Sequence, residues 1–207
     1  MAMPTESELS IDEDISAEGQ FHLVILSAEM NAKNHKGEDL GKMKLSGKVL
    51  NGTVESEKGK RHDFFIKHCP ESSWEIQTRA RLAAALNLLP AAAPGEEIEV
   101  AWPLAKSRQV VVTVKASQGK GDKADMIYYN SNERIFHVDD PAVKEVPRDA
   151  IYLGLIPAEA RWKDGKPQPF VMNPRNQRAA AEAADRMAAA EKQEADEAAA
   201  ESDSFGY

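Results

Sequence analysis

The stretch CPESSWEIQTRARLAAALNLLP, residues 69–90, decides how the rest of the chain is read. Ser72 with Glu75 three positions later has the form of a capping box, and Pro90 closes the run. Ile76, Ala80, Ala83, Leu86 and Leu89 fall near one face. This spacing predicts a single helix in the middle of the chain, and the segments on both sides of it read as strands.

Upstream, QFHLVILSAEMN (20–31) is rich in branched and aromatic residues and predicts a first strand. AKNHKGEDLG (32–41) is a turn. KMKLSGKVLN (42–51) sets apolar Met43 and Leu45 against Lys42, Lys44 and Ser46, the period of a half-buried strand with one wet face. Gly47 within it marks a bulge or bend. After the turn GTVESEKGKR (52–61), HDFFIKH (62–68) is a third strand. Downstream of the helix, GEEIEVAWPL (95–104) and QVVVTVKAS (109–117) read as strands. QGKGDKAD (118–125) parts them from MIYYN (126–130) and ERIFHV (133–138). The fold class expected is mainly β with one inserted helix, an OB-like barrel of five or six strands. Three strands, one helix and then further strands is the order of that small Greek-key barrel, which binds oligonucleotides.

The domain organisation follows composition. Residues 1–19 read as a flexible acidic arm. Residues 20–156 are the OB-like domain, in which PRDAIYLGLIP (147–157) is a strand or a docked segment. Residues 157–174, broken by prolines and Gly165, are a linker or a packed arm. Residues 175–207 are an Ala/Glu-rich helix and an acidic tail, without a stripe of large apolar residues.

The net charge of −8 argues against nucleic acid until its distribution is seen. Glu6, Glu8, Asp12, Glu13, Asp14 and Glu18 lie in residues 1–20, which hold no Lys or Arg. Residues 182–207 add Glu182, Asp185, Glu191, Glu194, Asp196, Glu197, Glu201 and Asp203 against Arg186 and Lys192. The middle, 21–181, keeps 24 of the 26 basic residues and 20 of the 34 acidic ones, a net of +4. A mildly basic core between acidic ends points to an interaction surface and a tail.

Catalytic signatures are missing: there is no P-loop, no Gly-x-Ser-x-Gly and no His-Glu-x-x-His, and the expectation is a protein that is not an enzyme and needs no cofactor. His62 and His68, with Cys69 beside them, invite a metal reading, but in a strand the two histidines stand about 20 Å apart, so ordinary strand-end residues are expected and no metal. Asp139 and Asp140 before Pro141 read as a turn. Asn51 in NGT is a turn residue rather than a glycosylation acceptor. The single cysteine gives neither an internal disulfide nor a Cys-based zinc site. FHLVIL is far short of the about 20 residues that span a bilayer, and the first residues have no signal-peptide pattern. A cytoplasmic protein with no membrane partner is expected.

The loop SQGKGDKAD (117–125) carries the binding argument. Gly119 and Gly121 make it mobile, and Lys120 and Lys123 are free to meet phosphates. Lys115, Tyr128 and Tyr129 border it, Arg134 and Phe136 follow, and Trp102, Lys106 and Arg108 lie upstream. Rings interleaved with Lys and Arg on strands suit single-stranded nucleic acid, with bases stacking on rings and phosphates meeting cations. Tyr128 and Tyr129 point to opposite faces, so one is core and the other outward. These ten residues are the expected nucleic-acid-binding set.

FHLVILSAEMNAKNHKGEDLGKMKLSGKVLNG (21–52) followed by SSWEIQTRARLAAALNLL (72–89) resembles a phage-encoded family known as a domain of unknown function. That family is found among recombination and replication genes and is suspected of binding single-stranded DNA. The resemblance covers roughly residues 20–116 and rests on a first strand, a K.GE.L turn, a second strand ending in glycine and a helix with spaced leucines. EADEAAAESDSFGY (194–207) is similar in plan to the acidic tails of OB-fold single-stranded DNA-binding proteins, which end in a few apolar residues that dock replication and repair proteins. It departs from the bacterial tip, which is more densely acidic and closes on Pro-Phe. The resemblance implies sequence-independent single-stranded DNA binding in phage replication or recombination, inside the host bacterial cytoplasm. Glu201 and Asp203 are then steered by basic residues of a partner while Phe205 and Tyr207 fill an apolar pocket on it. A homo-oligomer is compatible with this plan. The alternative is a phage protein-interaction module, an adaptor or inhibitor of an enzyme that acts through its acidic termini.

Overall fold

The computed structural model describes residues 13–33, 36–90, 99–131, 134–156 and 160–169. The chain divides into two units, Met1–Val171 and Met172–Tyr207. The second unit, with the expected Ala/Glu-rich helix and the tail residues Glu201, Asp203, Phe205 and Tyr207, lies outside the described residues, as do 1–12.

The first unit is mainly β. It is built on strands β1 (Gly19–Glu29), β2 (Lys42–Gly52), β3 (Arg61–Lys67), β4 (Gln109–Gln118), β5 (Ile127–Asn130) and β6 (Ile135–His137), with helices α1 (Ser73–Ala85) and α2 (Ala150–Gly154). The strands form one antiparallel open sheet in the order β3-β2-β1-β4-β5, and β6 pairs with β4 beyond the end of β5.

β1 and β4 are central, and both of their faces are covered. Phe21, Leu23 and Ile25 of β1 and Val110, Val112 and Val114 of β4 enter the main core. Val111 joins Val138, Val143 and Val146 in a second cluster on the opposite face, with Phe136 against it. A strand buried on both faces reads as a continuous apolar run, which is what FHLVIL and VVV are. β2 and β3 have one buried face only. Met43, Leu45 and Val49 of β2 and Phe64 and Ile66 of β3 point into the core, and Lys44, Lys48, Phe65 and Lys67 lie on the other face.

The β1–β2 ladder shifts register twice, passing over Leu26 between Ile25 and Ser27, and over Leu50 opposite the His22–Leu23 step. Gly47, opposite Ile25, therefore borders a bulge whose extra residue is on β1 rather than being the bulge itself. Gly52 is required where β2 ends, because a Cβ there would meet the Gln20 carbonyl oxygen at 2.6 Å.

The capping box of α1 is present: Ser72 Oγ accepts from the Glu75 N–H at 3.2 Å, and Glu75 Oε2 accepts from the Ser72 N–H at 3.3 Å. The end and the buried face of the helix differ from the expectation. Pro90 does not terminate it; Leu86 caps it and Asn87 turns the chain at φ +52, a left-handed conformation that asparagine tolerates. Leu82, Ala83, Ala85 and Leu86 are buried, while Ile76 is 54% exposed and Ala80 also faces solvent. Only the C-terminal half of α1 enters the core, against β6 and β3, so no stripe runs its full length.

The strand expected over 95–104 is not seen. Residues 95–98 are outside the described set, and Trp102–Ala105 form a 3-10 turn with Pro103 in its first positions. The segment 147–157 contains a helix rather than a strand. Asp149 caps α2 by accepting from the N–H groups of Ile151 and Tyr152 at 3.0 and 3.1 Å. The segment is docked on β1 and β4 by partly buried polar contacts. His22 Nδ1 accepts from the Asp149 N–H at 3.1 Å, and Gln109 Nε2 donates to the Tyr152 carbonyl at 2.7 Å. His22 Nε2 lies 2.9 Å from Gln109 Oε1, so the ring is the neutral tautomer that donates from Nε2. Burial lowers its pKa to about 4.

Further along, Asp140 caps a local turn as expected, accepting from the Ala142 N–H at 2.8 Å. Asp139 does more than turn the chain. It accepts from Arg161 Nε at 2.7 Å, from Arg161 Nη2, and from the Trp162 N–H at 3.0 Å, fastening residues 160–162 to the end of β6. The Trp162 ring stacks on buried His137 at 4.8 Å.

The acidic arm expected over 1–19 is fixed in its last part. Ile15 is buried in the main core, and residues 13–15 bond to β3 in parallel through Arg61 N–H to Glu13 carbonyl at 2.8 Å and Ile15 N–H to Arg61 carbonyl at 2.9 Å.

Candidate nucleic-acid interface

The outward face of β2 and β3 is where cations and an exposed ring meet. In the ladder Lys42 is opposite Lys67, Lys44 opposite Phe65, Ser46 opposite Asp63 and Lys48 opposite Arg61. Paired residues share a face, so this alternation gathers the lysines of β2 beside the ring and charges of β3. Phe65 is 51% exposed, and Lys44 Nζ lies 6.0 Å from its ring centroid.

Two hollows flank Phe65. One, of about 250 Å³, is walled by β2, β3 and the start of α1 and includes Lys42, Lys67, Trp74 and Arg79. The other, of about 380 Å³, lies between β3 and β5 and includes Asp14, Arg61, Ile127 and Tyr128. Both include Asp63, Phe65 and Asn130, so they are two ends of one trough. The second hollow lies between the two edge strands of the sheet. Beneath them buried His62 Nε2 meets Ser131 Oγ at 2.6 Å, and no ladder joins β3 to β5 among the described residues. Burial holds the His62 pKa near about 4, so the ring is neutral at physiological pH.

Acidic side chains hold several of these cations in place. Lys44 Nζ is 3.1 Å from Asp63 Oδ2, and Lys67 Nζ is 3.0 Å from Glu75 Oε1. Arg79 Nη1 donates to the His68 carbonyl at 3.0 Å, and its guanidinium lies 5.9 Å from the Trp102 ring centroid. Glu75, which also caps α1, is pulled below the usual carboxylate range by the Glu71 N–H and then by Lys67.

The residues expected from sequence fall in separate places. Trp102 is a correction: it is 5% exposed, packed in the core under the 3-10 turn, and offers no stacking surface. Phe136 is half-buried and packs against the second cluster. Lys106 and Arg108 flank the start of β4, whereas Lys115, Lys120 and Lys123 are exposed around its far end. Arg108 and Lys115, the nearest members of the two groups, are seven residues apart, about 23 Å along an extended strand, so the groups are set apart along β4. Tyr129 packs on the main core, and Tyr128, 36% exposed, lines the trough. Arg134 is exposed between β5 and β6.

The lysine hairpin carries a local turn. Gly121 (φ +64) opens a 3-10 turn over Gly121–Lys123, and the Gly119 N–H donates to the Met126 carbonyl at 2.8 Å. Lys42, Lys44, Phe65, Lys67, Trp74 and Arg79 were not in the expected set. For the four on strands the signal was present as K-x-K on the wet face of β2 and F-x-K on that of β3.

Among the described residues no group of His, Cys, Asp and Glu is arranged to hold a metal ion, and no helix is long and apolar enough to cross a membrane. No protein-family model matches the chain, and a comparison with curated proteins finds no match.

Proposed function

We propose that this protein binds single-stranded DNA without reading its sequence, and that the strand lies along the trough over β2, β3 and the β5 rim. The observation that carries the reading is exposed Phe65 set among Lys42, Lys44 and Lys67 on one sheet face. A ring on a strand gives a base a stacking partner worth about 1–3 kcal/mol, whatever the base. Trp74 and Tyr128, both exposed at the walls of the trough, extend that platform to either side of Phe65. The cations meet phosphates, and Lys115, Lys120 and Lys123 extend the basic path around the hairpin.

Strand order favours an OB-like barrel. Three strands precede the helix, β1 pairs with both β2 and β4, and the edges β3 and β5 face one another across His62 and Ser131. Such barrels bind oligonucleotides on the face of their second and third strands and on the loops beside it. In this reading the protein serves phage DNA replication or recombination in the host cytoplasm, and the tip Phe205–Tyr207 with Glu201 and Asp203 recruits partner proteins.

Fluorescence anisotropy with a labelled 30-nucleotide oligo-dT tests the reading. Binding that weakens steeply with salt, and that Phe65→Ala reduces without lowering the melting temperature, is the expected result. Absence of binding at low salt by the full chain overturns it.

A further inference from the structure

Arg61 begins β3 at the end of the trough between β3 and β5, and its partner there is an acid from the N-terminal segment. Arg61 Nε donates to Asp14 Oδ1 at 2.7 Å, with Asp63 Oδ2 at 3.6 Å as a second carboxylate. Asp14 is not a passing contact. The residues on both sides of it are bonded to Arg61 through the backbone, Ile15 is buried in the core, and the Ser16 N–H donates to Glu57 Oε2 at 2.8 Å. One residue earlier, Glu13 Oε2 is 3.7 Å from Lys60 Nζ. The fold therefore delivers a carboxylate to a fixed place against this guanidinium.

We infer that Arg61 is a phosphodiester-binding residue of the trough and that Asp14 occupies its phosphate position until a nucleic-acid strand displaces it. This rests on the single-stranded DNA reading above and adds a site and its regulation to it. Two features carry the inference. A guanidinium pairs with a carboxylate or a phosphate through the same donors, so one ligand substitutes for the other. The pair is also open to water, with the Asp14 side chain 68% exposed and that of Arg61 39%, so its rupture costs little and the strand competes successfully. The segment acts as a weak internal competitor that sets affinity rather than as a lock. The anchoring at Ile15 and Ser16 keeps the displaced carboxylate close, ready to return when the strand leaves.

The test measures oligo-dT 30-mer binding by anisotropy over a salt series, using full-length wild type, Asp14→Asn, Arg61→Gln and the double variant. Asp14→Asn is expected to bind about two- to five-fold tighter at low salt, the worth of one exposed ion pair. Its plot of log affinity against log salt should steepen by up to about 0.7, the share of one phosphate contact. Arg61→Gln should bind more weakly, and the double variant should bind no tighter than Arg61→Gln alone. Unchanged or weaker binding by Asp14→Asn overturns the inference, as does a gain that persists in the double variant. Should Arg61→Gln not fold, as judged by circular dichroism, the affinity and slope of Asp14→Asn decide alone. Wild type that does not bind at all defeats the DNA reading, whereas wild type that binds with Asp14→Asn unmoved defeats only this inference.

Discussion

β1 and β3 are both strands of one antiparallel sheet, yet they spend their residues differently. β1 is central and presents Phe21, Leu23 and Ile25 to one core and His22 to the contacts that hold α2. β3 is an edge and gives Phe64 and Ile66 to the core while Asp63, Phe65 and Lys67 face outward. The difference teaches that an edge strand divides its two faces between core and solvent, whereas a central strand gives both to the fold. An exposed ring on β3 contributes little to folding, so it is free to serve a ligand, whereas every position of β1 from Phe21 to Ile25 is committed to the fold.

Substitutions at equivalent ring positions break this comparison most directly. Phe21→Ala should destabilise the protein by about 3–5 kcal/mol in chemical denaturation, because it empties a fully buried site. Phe65→Ala should leave the unfolding midpoint nearly unchanged. A large loss of stability from Phe65→Ala would show that the outer ring is structural.

Acid should act through the buried histidines of β1 and β3. His22 and His62 are buried as neutral rings with pKa values lowered to about 4 from 6.5, and His137 is shifted in the same direction by burial. The unfolded chain takes up protons below about pH 6.5 while the folded rings resist until about pH 4. Stability is therefore flat above pH 6.5 and is lost as pH falls through this window, by about 3 kcal/mol for each of His22 and His62. Denaturation curves at pH 7 and pH 4.5 check this, and His22→Gln should flatten part of the slope.

The outer face gives the next effect. Phe65→Ala should weaken oligo-dT binding by about 1–3 kcal/mol, and Trp102→Phe, in the core, should leave that affinity unchanged in the same anisotropy titration. The smallest effect is expected from charge. Lys42→Gln with Lys44→Gln should lower the salt slope by about 0.7 for each lysine, with little change in melting temperature.

Much of the sheet was legible because its strands carry their own signatures. The unbroken FHLVIL and VVV runs, the alternation of β2, and Ser72 with Glu75 mark β1, β4, β2 and the start of α1. What escaped depends on contacts made across long stretches of chain. Trp102 looks like a surface ring beside Lys106, and only the packing of its 3-10 turn on β1 shows it to be core. The docking of α2 depends on His22, 127 residues from Asp149. The bonding of residues 13–15 to β3 likewise spans a gap that no local pattern reports. The lysines of β2 were legible as a wet face, but their convergence on Phe65 needs the register of the β2–β3 ladder.

The seam between β3 and β5 has a mechanical consequence. Along the rest of the sheet, widening the gap between neighbouring strands breaks backbone hydrogen bonds in series. Across this seam the described link is one side-chain bond, His62 to Ser131, and a side chain swings through a larger arc than a backbone amide at lower cost. The gap between β3 and β5 is thus held by fewer bonds than the ladders on either side of it.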